Sequence, residues 1–131
     1  MFAILCALLI PPPAAPEPIV APKLVVVQEG YWEAEGTIDG KEYTSLVMIQ
    51  KQGASYIVLW VGAGADQHIG CGTLDGDCLL VGFGSGAGMR GIASFEVGDG
   101  KLVGWWASLP GNGRRQKETM TFIKPFKVKT P

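Results

Sequence analysis

The chain is poor in the residues on which most site chemistry depends. Its 131 residues include one histidine, His68, and three cysteines, Cys6, Cys71 and Cys78. No segment carries a sustained 3.6-residue apolar period between capping residues, which argues against helices. The apolar run Phe2 to Ile10 has nine residues, far short of the roughly 20 that a membrane-spanning helix needs. Charge of one sign is also missing: 11 Lys and Arg stand against 12 Asp and Glu, a net charge of -1. That balance gives no global attraction for nucleic acid or an anionic membrane.

What the chain has is glycine and regular punctuation. All 19 glycines fall between Gly30 and Gly113, an excess without a collagen-like period. Seven turn signals, Asp39-Gly40, Gln52-Gly53, Ala63-Gly64, Asp75-Gly76, Gly86-Ala87-Gly88, Asp99-Gly100 and Gly111-Asn112-Gly113, recur every 11 to 13 residues. Such sequences supply the positive φ angles of tight hairpins, and runs rich in Val, Ile, Leu, Tyr and Trp lie between them. Seven turns delimit eight strands, at 29–38, 41–51, 54–62, 66–74, 78–84, 89–97, 101–109 and 115–123. The expected fold is all-β, an eight-stranded antiparallel up-and-down meander that hides its edges by closing into a barrel.

The barrel is expected over residues 28–124, with a basic tail over 125–131. Residues 1–113 carry five Lys or Arg against eleven acids, whereas 114–131 carry six bases and Glu118. A basic last strand discourages edge pairing. Residues 1–22 read as a secretory leader and a Pro-rich linker, although no Lys or Arg precedes the apolar run. The expectation is a secreted or periplasmic protein of the cell envelope.

Hairpin arithmetic assigns the faces. With Gln52-Gly53 at a tip, Ile49 faces Tyr56, Val47 faces Val58 and Ser45 faces Trp60. With Asp99-Gly100 at a tip, Val97 faces Leu102, Phe95 faces Gly104 and Ala93 faces Trp106. Both sets suit an interior. The opposite faces should be polar, yet they carry Leu46, Met48, Ile57, Leu59, Val61, Val103 and Trp105. Monomers seldom expose such patches without purpose. Three readings fit: an interface for a second copy or a protein partner, a face covered by Ile19 to Val27, or a register shifted by one. If Asp75-Gly76 forms a two-residue turn, Cys71 and Cys78 are same-face diagonal neighbours, so a disulfide needs a bulge or a longer loop. Two buried thiols fit equally well.

Several motifs look chemical. Gly86-Ala87-Gly88-Met89-Arg90-Gly91 matches the dinucleotide pattern G-x-G-x-x-G, but the strand Ile92 to Val97 follows it where the chemistry requires a helix. Asp66 and His68 share one strand face, and two ligands without partners make a poor metal site. Glu33 and Glu35 alternate with Trp32 and Ala34, as solvated carboxylates on an amphipathic strand do. No metal or cofactor is expected. Arg114 and Arg115 follow the last turn, with Trp105 and Trp106 on the strand leading in. Together with Trp60 they are the candidate ligand-binding residues at a barrel mouth.

The succession Tyr43-x-Ser45-x-Val47-x-Ile49, Gly53, Tyr56-x-Val58-x-Trp60, then Asp99-Gly100-Lys101-Leu102-x-Gly104-x-Trp106 resembles small exported bacterial β-barrels of the calycin type, the class of lipocalins and avidins. The resemblance covers about 95 residues and implies fold more than ligand. The expected function is non-enzymatic binding of a small ligand or partner, at the mouth or through the outward apolar face. The alternatives are a carrier with an internal cavity and a small barrel enzyme using His68.

Overall fold

The computed structural model describes residues 12, 25–62 and 67–127. Its eight strands are β1 (Gly30–Ile38), β2 (Lys41–Gln52), β3 (Ser55–Gly62), β4 (Gln67–Asp75), β5 (Cys78–Ser85), β6 (Arg90–Val97), β7 (Lys101–Leu109) and β8 (Gln116–Lys124). Each pairs antiparallel with the next, and β8 returns to β1 to close the barrel. The strands lie within one residue of the expected positions. The leader and linker over 1–22, apart from Pro12, fall outside the described residues, as do the turn at Ala63-Gly64 and residues 128–131 of the basic tail.

Two hairpins differ from the expected register, for a reason visible in their backbones. Gln52 pairs with Ser55 and Asp75 pairs with Cys78, so the tips are Gly53-Ala54 and Gly76-Asp77. Gly53 and Gly76 have φ of 61° and 62°, and a two-residue turn with positive φ at its first central position places glycine there. The pairing therefore slides by two, and Val47 meets Trp60 while Ile49 meets Val58. A slide of two keeps every side chain on its expected face. At Asp99-Gly100 the expected pairs Val97 with Leu102, Phe95 with Gly104 and Ala93 with Trp106 are the observed ones.

The same slide separates the cysteines. Cys71 pairs with Gly82 and Cys78 with Asp75, which sets the two thiols about 13 Å apart along the hairpin. Both are free, Cys71 exposed and Cys78 half-buried. The bridged pair and the pair of buried thiols are both corrected.

Inward residues fill the end of the barrel that holds the turns at Gly53, Gly76 and Gly100. Trp32, Ile49, Val58, Leu79, Phe95, Leu102 and Met120 are each at most 1% exposed. Val27 tucks into this core, and the Trp32 indole NH donates to the carbonyl of Gln28 at 3.0 Å. Trp32 and Phe122 meet edge to face, with centroids 5.3 Å apart.

Candidate functional site

The opposite end, framed by the β1–β2, β5–β6 and β7–β8 loops, is built differently. The inward phase of β8 runs Gln116, Glu118, Met120, and thus carries a carboxylate into the barrel at a depth where its side chain is 3% exposed. Tyr43, on the inward phase of β2, donates its hydroxyl proton to Glu118 Oε1 at 2.7 Å. The Trp60 indole NH, from β3, donates to Glu118 Oε2 at 3.3 Å. The Trp106 indole NH, from β7, donates to the Tyr43 hydroxyl oxygen at 2.8 Å. Protons thus point from Trp106 through Tyr43 to Glu118, and from Trp60 to the second oxygen. Linked bonds of this kind polarise one another in a low-dielectric interior.

Close approach makes the network possible. Gly36 of β1 lies opposite both Tyr43 and Glu118 in the ladders. A Cβ at Gly36 would lie 2.6 Å from the Tyr43 hydroxyl and 2.5 Å from the Lys117 carbonyl oxygen. The tyrosine crosses this end of the barrel because that strand presents bare backbone. Gly91 does the same for Phe83, whose ring occupies the space that a Cβ would take. Phe83 then stands between the indoles, its centroid 5.4 Å from Trp60 and 6.4 Å from Trp106.

Burial is the leading influence on Glu118 and pushes its carboxyl above the usual glutamate range, while the bonds from Tyr43 and Trp60 pull the other way. Tyr43 is pushed far above the usual phenol range, first by burial and then by the Glu118 charge and hydrogen bond. Both bonded partners of the carboxylate are neutral donors, so the site offers acceptor capacity and negative potential without a matching cation in its hydrogen-bond network.

The expected site residues divide. Trp60 and Trp106 belong to this network. Trp105 faces outward, and the Arg115 guanidinium stacks over it at 4.2 Å. Arg114 is exposed, its amide bonded to the Asn112 side chain at 3.0 Å. The expected guanidinium–aromatic contact is therefore present, but on the outer wall. Asp66 lies outside the described residues. His68 faces inward at the rim, with Nε2 3.2 Å from Met89 Sδ and its ring edge-on to Phe83 at 6.2 Å.

Leu46, Met48, Ile57, Leu59 and Val61 do face outward. Cross-strand pairs link Leu46 to Val61 and Met48 to Leu59, and Leu59 continues to Ile69 on β4. Ile69 and Ile92 are each 59% exposed. Between them Gly82 and Gly84 leave the wall without side chains, and a depression of about 540 Å³ lies there, bordered by Ile57, Ile69, Cys71 and Arg90. Of the segment from Ile19 to Val27 expected to cover this wall, Val27 is part of the core, and residues 19–24 lie outside the described residues.

Glu118, Tyr43 and Met89 are not among the residues that the sequence singles out for a site. The signal for Glu118 was present in Glu118-x-Met120, which puts a carboxylate in phase with a core methionine. Compared with models of known families and with curated proteins, the chain matches none.

Proposed function

We propose that this chain is a non-enzymatic, calycin-like binding protein of the cell envelope that holds a small ligand at the aromatic end of its barrel. The observation that carries the reading is Glu118, a carboxylate 3% exposed whose bonded partners are both neutral. Burying such a group costs free energy that an apolar side chain would not, and buried carboxyls with a shifted protonation equilibrium concentrate at functional sites. Above it the rim formed by Phe83, Trp106, His68 and Met89 is only half-buried. The chemistry suits a ligand with a flat apolar body and a hydrogen-bond donor directed at the carboxylate. The binding rather than catalytic reading is favoured by His68, whose described contacts are a thioether and a phenyl edge, with no carboxylate or nucleophile.

The test is a fragment screen read by NMR on the indole NH signals of Trp60 and Trp106. Fragments carrying a donor group should move both signals, and Glu118→Ala should abolish the response. Hits that move only outer-wall signals would overturn the proposal.

A second reading is favoured by the exposed wall of β3 to β6, where Ile69 and Ile92 flank a strip of bare backbone. A second copy of the chain would cover it. In that case the protein sediments as a dimer and Ile69→Lys sediments as a monomer; a monomeric wild type removes the reading.

A further inference from the structure

We propose that His68 and Met89 form a site for a soft monovalent metal ion, Cu(I) or Ag(I), at the rim of the barrel. The two donors come from different elements, and the backbone brings them together. His68 pairs with Ser85 across the β4–β5 ladder. Ser85 then fixes the loop that delivers Met89: its amide donates to the Met89 carbonyl at 2.9 Å, and its carbonyl accepts from Gly88 at 3.1 Å. Its hydroxyl oxygen accepts from the Met89 amide at 3.3 Å. Gly88, at φ 89°, supplies the left-handed residue that this tight return needs. The residue opposite the imidazole is thus the one that clamps the thioether, and His68 Nε2 and Met89 Sδ end 3.2 Å apart.

The donor set selects the ion. Imidazole and thioether are both neutral, and thioether sulfur favours soft metals such as Cu(I) over harder divalent ions. Among the described residues no three His, Cys, Asp or Glu side chains converge, so the closed ligand set of a structural zinc site is not offered there. A monovalent ion of low coordination number needs less. With metal–nitrogen and metal–sulfur bonds of about 2.0 and 2.3 Å, as at zinc, the two donor atoms must move apart by about 0.5 Å for a bent arrangement and about 1.1 Å for a linear one. The three rotatable bonds of methionine absorb such a movement. Phe83, edge-on to His68 and packed on Trp60, gives the site one apolar wall. Both donors are half-buried at the rim, so an ion reaches them without opening the core.

The test must silence the thiols, which bind the same ions. The full chain with Cys6, Cys71 and Cys78 replaced by serine is titrated with Ag(I) in chloride-free buffer, by calorimetry and by NMR of the methionine methyl and histidine ring signals. The expected result is one ion per chain, with the Met89 methyl and His68 ring shifting together and Zn(II) leaving both in place. His68→Gln and Met89→Leu should each weaken binding by at least about tenfold, while Met48→Leu on the outer wall leaves it unchanged. The same NMR shifts are read in the unsubstituted chain after alkylation of its thiols, so that poor folding of the serine variant cannot obscure the answer. Absence of one-to-one binding in both preparations, or full binding by either ligand variant, overturns the proposal.

Discussion

The two ends of the barrel use similar residues for opposite purposes. At the end holding Trp32, the core side chains Trp32, Ile49, Leu79, Phe95 and Leu102 are each at most 1% exposed, and the indole NH is bonded to a nearby backbone carbonyl. At the other end, Trp60 and Trp106 aim their NH groups at Glu118 and Tyr43, and the rings around them remain half-open. The first end gains stability from apolar burial. The second contains a carboxylate whose desolvation works against the fold and whose hydrogen bonds only partly offset it. A barrel that needed only to be solid would repeat the first arrangement at both ends. Under the proposed binding function, the difference separates the part of the molecule that holds the fold from the part that would receive a ligand.

Substitutions at the packed end should therefore be the costliest. Leu79→Ala removes a side chain that is 1% exposed within the core cluster, and such truncations cost about 2–5 kcal/mol. Denaturant unfolding should show this loss with the Trp60 and Trp106 indole NH signals unmoved in the folded state. A loss below about 1 kcal/mol would mean that this end is not the structural half.

At the network end the largest effect should come from Tyr43→Phe. It leaves the Trp106 NH without its acceptor and takes one of the two donors from Glu118. An unsatisfied buried group costs about 1–3 kcal/mol, and the Trp106 indole signal should move with it. Gly36→Ala should move the same signal by pushing on the Tyr43 hydroxyl. If neither variant moves Trp106, the hydrogen-bond chain does not exist in solution.

Glu118 gives the comparison a pH dependence. Its carboxyl is raised in the folded state, chiefly by burial, so between the ordinary glutamate value of about 4.3 and the raised value the folded chain binds more protons than the unfolded one. Stability from this group then falls as pH rises through that window and is greatest below it. Glu118→Gln should remove that slope while lowering stability elsewhere, because an NH2 donor replaces one of the two oxygens that accept separately from Tyr43 and Trp60. Unfolding curves across pH for the two proteins would show parallel profiles if Glu118 carries no shift.

The packed half was largely legible in the sequence and the network half was not, for a physical reason. Turn chemistry and alternation act locally, so Asp99-Gly100 alone suffices to pair Ala93 with Trp106. The slide at Gly53 shows the limit: one residue of turn choice changes partners but not faces. The network depends on Tyr43, Trp60, Trp106 and Glu118, which come from four strands and meet only once the barrel closes. Local spacing has no access to that closure, and the adjacent pair Trp105-Trp106 invites assignment to one site although alternation sends the rings to opposite sides of the wall.

That pair yields the smallest expected effect and the sharpest check on the division. Arg115 stacks over Trp105 on the outer surface, where an exposed cation–π contact contributes about 0.5–1 kcal/mol. Arg115→Ala should lower stability by no more than this and move the Trp105 indole signal alone. Trp106, one residue away but bonded to Tyr43 inside the barrel, should keep its signal, and the pH profile governed by Glu118 should be unchanged. A shift at Trp106 would show that the outer stack steers the inner network through the shared strand, and Arg115 would then belong with the network end after all.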